Sequence, residues 1–464
     1  MASAPPVRRA SSGQLPSLRE HSLVPVGMAT ILPEAARQVR HLEAELLAYC
    51  NRFGYDEIIL PTFEYLDVLT PGLEPTLLEN SYKIVDRTTG RILLLRPDVT
   101  AQIARSVAMG MVGASFPLRL SYRATVFRYE PEHAGRDREI FQVGAELIGA
   151  DDVSADSEII ILLIECLRQV GLRSFKISLG HVGFFKGLLV RAGLSPEGRK
   201  RAEQAAARKD LPRLAEVLSQ EGVTKRSAHR ILDALELCGQ ADVLSKGRAL
   251  AKGERPLVQA LDRLAQVYQV LCETGYQETI LLDLGEFRGF DYYDGIVFDV
   301  FTDGIGVELG GGGRYDHLIG RFGRNLPSTG FALSVDRLFR GLNLSDRTQS
   351  EGPKVLVVAP VELPTRLISV AQQLRRAGIR TVQRTVDPSG RNLLSAAMTA
   401  GFDANINTII VVGANRSKPD QVVVLHPSDR RGVAGSLGRA HLRKRTVSIE
   451  GLIASLRLDL EGVA

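Results

Sequence analysis

Three stretches of the chain concentrate residues able to recognise a small polar molecule. The first is Val126-Phe127-Arg128-Tyr129-Glu130, then Gly135-Arg136-Asp137-Arg138-Glu139, then Gln142 and Glu146. Residues two or four apart on a strand share a face, so Arg128 points with Glu130, and Gln142 with Glu146. An arginine beside carboxylates and an amide on a sheet face could hold a zwitterion or a phosphate. The same pattern also describes a solvated antiparallel sheet with cross-strand ion pairs. The second stretch, Gly285-Glu286-Phe287-Arg288-Gly289-Phe290-Asp291-Tyr292-Tyr293-Asp294-Gly295, sets a cation and two phenols among acids and glycines. Arg288, Tyr292 and Tyr293 are suited to walling a small polar ligand; a plain hairpin with Tyr292 as a buried aromatic is the alternative. The third, Gly310-Gly311-Gly312-Gly313-Arg314-Tyr315-Asp316, lets the backbone come close to a ligand or to another strand. It is a weak phosphate-loop signal, since no Gly-Lys-Ser/Thr follows. No Gly-x-Ser-x-Gly nucleophile signature is present, and His181 has no neighbour in sequence that would complete a metal site.

The elements that must carry these residues can be read from periodicity. A helix is predicted from Pro33, with Ala36, Val39, Leu42, Leu46 and Leu47 recurring every three to four residues. Strands are predicted at 82–85 and 92–95 around a Thr88-Thr89-Gly90 turn, and at 118–123, 126–129 and 139–148, antiparallel by their close spacing. A long helix is expected at about 155–170, an all-helical insertion at about 192–255, and further strands at 278–284, 296–301 and 307–309. From residue 354 onward, strands at 354–359, 380–383, 408–412 and 421–425 alternate with helices at 365–377 and 392–400, which predicts an α/β domain with a largely parallel sheet. The expected domains are therefore a disordered tail at 1–20, a core at 21–345, a linker at 346–353 and a terminal domain at 354–464. The Pro/Ser/Arg-rich tail is preferred over an organelle transit peptide, because Pro5-Pro6 opposes the amphipathic helix such a peptide needs.

A chain of 464 residues exceeds one core. Its 44% hydrophobic and 24% charged residues exclude a mainly disordered chain. No apolar run reaches the ~18 residues of a membrane span. Four cysteines without a C-x-x-C pair argue against zinc and against a disulfide framework, and suit a reducing cytoplasm. Residues 354–464 hold 16 Lys/Arg against 8 Asp/Glu; such a basic domain serves nucleic-acid binding, or solubility and an acidic partner.

Together, Phe127-Arg128-Tyr129-Glu130, Gly135 to Glu139, Gln142 with the run Gly144 to Gly149, Arg288-Gly289-Phe290-Asp291-Tyr292-Tyr293, Gly310 to Asp316 and Gly330-Phe331-Ala332-Leu333-Ser334-Val335-Asp336-Arg337 resemble the class II core of the histidyl-tRNA synthetase family, which includes the regulatory subunits of ATP phosphoribosyltransferase. The resemblance implies an α+β fold: a class II synthetase-like antiparallel sheet with flanking helices, plus a C-terminal α/β domain of anticodon-binding type. It implies a histidine site at Arg128, Gln142, Glu146, Arg288, Tyr292 and Tyr293, with Arg128 and Arg337 as vestigial ATP-binding positions.

Departures from the synthetase pattern favour the regulatory branch. Asn80-Ser81-Tyr82-Lys83 stands where synthetases carry Glu-Met-Tyr-Thr, Arg96-Pro97-Asp98-Val99-Thr100 replaces Arg-Pro-Glu-Gly-Thr, Pro131 replaces an arginine, and Asp336 replaces a glutamate. Val412-Gly413-Ala414-Asn415 stands in place of Gly-x-x-Glu, which speaks against anticodon reading. The expectation is a cytoplasmic, non-catalytic subunit without metal or cofactor. It would have a homodimeric core in a hetero-oligomer with a short catalytic subunit, bind histidine for feedback, and not use tRNA. The alternatives are an active histidyl-tRNA synthetase and a stand-alone amino-acid- or RNA-binding relative.

Overall fold

The helix Pro33–Arg52 begins on a proline whose missing N–H costs nothing in a first turn, and it buries Val39, Leu42, Leu46 and Cys50 along one stripe. The computed structural model describes residues 24–111, 113–129, 138–286, 292–342, 355–387, 392–403, 406, 408–415, 417–427 and 442–461. The tail expected at 1–20 and the linker expected at 346–353 lie outside the described residues. The chain divides into two compact units, Met1–Arg347 and Thr348–Ala464.

The strands of the first unit, in chain order, are β1 (Asp56–Glu57), β2 (Phe63–Tyr65), β3 (Lys83–Val85), β4 (Ile92–Leu95), β5 (Leu118–Phe127), β6 (Glu139–Ile148), β7 (Phe175–His181), β8 (Cys238–Gly239), β9 (Ile280–Asp283), β10 (Ile296–Thr302), β11 (Gly310–Arg314) and β12 (Ser328–Ser334). Nine of them form one sheet in the order β1-β5-β6-β12-β11-β10-β7-β9-β8, while β2-β4-β3 make a separate three-stranded sheet. The run from β5 to β7 is antiparallel throughout. Parallel pairs occur only towards the flanks, β1 with β5 and β7 with β9.

Three local expectations are corrected. The strands expected at 118–123 and 126–129 are one continuous β5, because its whole length pairs with β6. The strand expected at 307–309 falls instead on the glycines of β11. Glycine is a poor strand former, yet a Cβ on Gly312 would lie 1.9 Å from the Gly330 carbonyl, and one on Gly310 would lie 2.2 Å from that of Ala332. Close approach of neighbouring strands overrides propensity there. The insertion is not all-helical: after Pro196–Ala207, Leu211–Gln220 and Lys225–Glu236 it contributes β8, which pairs with β9 at the sheet edge, before Asp242–Ala251.

Helix Val153–Gln169 starts on Asp152, whose carboxylate accepts from the Ala155 N–H at 2.8 Å. It buries Ile159, Ile160, Leu163 and Leu167 and meets the first helix, where Cys50 and Cys166 lie with Sγ atoms 4.0 Å apart. These two cysteines, remote in the chain, are neighbours in space, and both are free thiols. His181 caps helix Val182–Arg191 by accepting the Gly183 N–H on Nδ1. Burial and the nearby Arg263 and Arg314 push it down to about 4, so its ring is neutral and acts as a cap.

The second unit holds β13 (Val355–Pro360), β14 (Thr381–Val386), β15 (Thr408–Val412), β16 (Gln421–Pro427) and β17 (Leu442–Ser448), in the order β14-β13-β15-β16-β17. Only β14-β13-β15 is parallel; β16 and β17 turn back antiparallel, so the sheet is mixed rather than largely parallel. Two small apolar cores sit on its two faces, one built on Val355, Val357 and Ile410, the other on Leu356, Val358 and Ile409. That alternation follows from the period of two along each strand. Among the described residues no helix is long and apolar enough to cross a membrane.

Candidate functional site

A cleft opens on one face of the large sheet, lined by Asp98, Thr100, Tyr122, Arg128, Gln142, Glu146, Tyr292, Tyr293, Glu308, Tyr315 and Arg337, with backbone from β11 and β12. The cavity volume is ≈ 80 Å³. At about 10–15 Å³ for each water this is room for one small polar molecule.

Register explains why a hollow exists at all. Glu146 of β6 stands beside Gly330 of β12, which stands beside Gly313 of β11. One step along the same face are Gly144, Ala332 and Gly311. Four glycines and an alanine leave the centre of this face with almost no side chains. A Cβ on Gly144 would lie 2.5 Å from the Tyr122 hydroxyl, and one on Gly313 3.0 Å from the Tyr293 ring. The bare floor therefore also admits the rings that wall it.

Glu146 is 1% exposed. Its Oε1 accepts from the Thr100 hydroxyl at 2.8 Å and its Oε2 from the Tyr315 hydroxyl. Burial pushes the carboxyl up to about 8; those two hydrogen bonds oppose the rise and the charge of Asp98 adds to it. Asp98 is the N-cap of helix Val99–Met109, with Oδ1 accepting from the Ala101 N–H at 2.8 Å. Its Oδ2 faces the Tyr292 hydroxyl at 3.5 Å and Arg128 Nη2 at 3.8 Å. Burial raises Asp98 above the ordinary aspartate range, while Arg128, the cap and Tyr292 pull it back.

Arg128 donates from Nε to the Pro97 carbonyl at 2.8 Å. Tyr292, Tyr293 and Tyr315 form a triangle of rings with centroids 4.7, 5.9 and 6.5 Å apart. Tyr292 and Tyr293, only 5% and 7% exposed, are both buried aromatics and cleft walls. Arg337, at the start of helix Val335–Gly341, donates from Nη1 to the carbonyl and to Oε1 of Glu308, both at 2.7 Å. Its neighbour Asp336 is held by the Phe141 N–H at 3.0 Å. On the opposite face of β11, Arg314 and Arg263 donate from their Nε atoms to the two oxygens of Asp156, each at 2.8 Å.

The structure thus brings Arg128, Gln142, Glu146, Tyr292, Tyr293 and Arg337 to one cleft. Arg288 lies outside the described residues, as do Glu130 and residues 135–137. Asp98, Thr100, Tyr122, Glu308 and Tyr315 were not among the expected site residues. Asp98, Thr100 and Tyr315 lie within the Arg96–Thr100 and Gly310–Asp316 motifs, so the sequence carries a signal for them. The third stretch proves to be a central strand and not a loop around phosphate. The arrangement can accept hydrogen bonds deep in the cleft through Glu146, offer opposite charges at Asp98 and Arg128, and stack a flat group against tyrosines.

A mixed antiparallel sheet with flanking helices, carrying this cleft, and a C-terminal α/β unit define a class II synthetase-like fold. A solved histidyl-tRNA synthetase from Nostoc sp. PCC 7120 shares that fold with a TM-score of 0.72 at 21% identity, over 95% of this chain and all of that one. The family model described as histidyl-tRNA synthetase matches residues 27–338. A protein of Geobacter metallireducens named ATP phosphoribosyltransferase regulatory subunit is 33% identical over 430 residues, 92% of this chain and 98% of its own. One of the same name from Desulforamulus reducens is 38% identical over 357 residues, 77% of this chain and 88% of its own. A solved structure from Bacillus halodurans C, described as ATP phosphoribosyltransferase regulatory subunit/histidyl-tRNA synthetase, is 30% identical with a TM-score of 0.72, covering 86% of this chain and 99% of that one. The chain belongs to the histidyl-tRNA synthetase-like family, in its branch of ATP phosphoribosyltransferase regulatory subunits. Membership in that branch marks it as a regulatory subunit and not itself a catalytic enzyme.

Proposed function

We propose that the chain assembles with a short ATP phosphoribosyltransferase catalytic subunit in the cytoplasm, as the homodimeric core of a hetero-oligomer, activates it, and binds histidine in the cleft as the feedback signal. The observation that carries this reading is the buried Glu146, with Gln142 on the same strand face and the tyrosines above. A carboxyl oxygen has two acceptor sites, so after Thr100 and Tyr315 each oxygen retains capacity for an imidazole N–H. Asp98 and Arg128 offer the opposite charges a zwitterion requires. Feedback then needs histidine to bind one state of the complex better than another, with a coupling of ~1–3 kcal/mol in ordinary systems.

Two measurements test the proposal together. Titration calorimetry of histidine into the chain is expected to show binding that Glu146→Ala weakens by roughly tenfold or more, since leaving a buried hydrogen-bonding group without its partner costs about 1–3 kcal/mol. Phosphoribosyl transfer by the catalytic subunit is expected to rise when the chain is added and to fall again with histidine. Unchanged affinity in Glu146→Ala removes Glu146 from the site, and a catalytic subunit indifferent to the chain sinks the regulatory reading.

A further inference from the structure

The side chains lining the cleft include two guanidinium groups, Arg128 and Arg337, and three carboxyls, Asp98, Glu146 and Glu308. Arg128 is engaged by the Pro97 carbonyl and Asp98. Arg337 is engaged by Glu308, with one Nη1 serving both the Glu308 carbonyl and the Glu308 carboxylate. The Arg337 side chain is 17% exposed and that of Glu308 36%. Glu308 is thus the more exposed member of the pair, and an anion that bonds Arg337 Nη1 has to share it with the carboxylate. Arginine grips phosphate through two parallel N–H bonds from its planar fork, and here an internal carboxylate already shares that fork. Among the described residues, with all groups ionised, the cleft lining carries three carboxylates against two guanidinium groups, and it is balanced when Glu146 holds its proton.

We propose that Glu308 is the residue that sets the cleft's charge specificity: its carboxylate occupies the anion position beside Arg337, so the cleft admits a zwitterion or a cation and rejects a polyphosphate. This rests on the reading of the cleft as an amino-acid site. A polyphosphate must either displace Glu308 or settle beside it, and like charges brought together in a partly dry cleft repel strongly. Glutamine keeps the shape of the side chain and leaves the backbone carbonyl bond to Arg337 in place, so Glu308→Gln removes the negative charge without emptying the position.

Inorganic tripolyphosphate and histidine are titrated separately into the full chain, wild type, Glu308→Gln and Glu308→Gln/Arg337→Met, with thermal melting to confirm folding and Glu308→Ala as a second variant. The ratio of tripolyphosphate affinity to histidine affinity is expected to rise about tenfold or more in Glu308→Gln, and the double variant to lose that gain, because the charge exposed is that of Arg337. Equal tripolyphosphate affinity in wild type, Glu308→Gln and Glu308→Ala overturns the proposal, as does a gain that survives Arg337→Met. If no protein binds histidine, the amino-acid reading fails, and the tripolyphosphate comparison alone still decides the role of Glu308.

Discussion

Gly330 and Glu146 face each other across β12 and β6, and a Cβ on Gly330 would lie 1.6 Å from Glu146 Oε2. The acid occupies the space that any other residue at 330 would need. Gly330→Ala is therefore expected to displace the carboxylate, lower stability by about 1–3 kcal/mol through overpacking, and weaken histidine binding at least as much as loss of Glu146 does. Gly306, with nothing within 4 Å of a built Cβ, is the control: Gly306→Ala should stay within about 0.5 kcal/mol of wild type. Urea unfolding and calorimetry read both; a Gly330→Ala protein with unchanged stability and affinity would contradict the packing described.

The proton on Glu146 makes stability depend on pH. Folded, this carboxyl titrates at about 8; its ordinary value is 4.5. Between those values the unfolded chain has lost the proton and the folded chain has kept it, so stability declines as pH rises. The contribution is full below 4.5 and gone above about 8. Glutamine cannot ionise, so the stability of wild type relative to Glu146→Gln should fall across that window by up to about 1.4 kcal/mol per pH unit. A difference between the two proteins that is flat from pH 5 to 8 would show that Glu146 is ionised in the fold.

Asp156 is shared by Arg314 and Arg263, with its side chain 0% and that of Arg314 5% exposed. Removing one member of such a cluster leaves buried charge without compensation. Asp156→Ala is expected to cost about 3–5 kcal/mol, read from the urea midpoint. A loss below about 1 kcal/mol would mean the cluster is open to water in solution.

On the basic terminal unit, Arg443, Lys444 and Arg445 are exposed on the edge strand β17. Filter binding at physiological salt is expected to retain histidine tRNA and a non-cognate tRNA equally and weakly, with affinity falling steeply as salt rises, since such contacts act through counterion release. Clear preference for the histidine tRNA would favour a synthetase. Histidine-dependent ATP–pyrophosphate exchange at about one turnover per second or faster would do the same, and none is expected.

Much of the cleft was legible because it lies on strands. The four-residue spacing of Gln142 and Glu146 places them on one face whatever else the chain does, and β6 has the limits its sequence pattern predicts. What could not be read was convergence between distant segments. Asp98 enters the cleft as the cap of a helix, Tyr315 arrives 169 residues after the acid it touches, and Cys50 meets Cys166 across 116 residues. The family resemblance implied a grip on ATP phosphates for Arg337; its engagement with Glu308 depends on a register between β11 and β12 that spacing alone does not reveal. The strand at the four glycines was missed for a related reason. Propensity disfavours glycine in strands, and only the neighbouring carbonyls explain why nothing larger fits.

The side-chain-free floor also shapes how this cleft can change over evolutionary time or in the laboratory. On that floor Gly144, Gly313 and Gly330 would each bring a single added methyl within 2.6 Å of another atom, so the floor offers no tolerated first step towards a new ligand. Adaptation is confined to the rim, where Glu308, Arg337 and Gln142 are partly exposed and can be exchanged one at a time. A library aimed at altered recognition should vary those three positions and leave the glycines untouched.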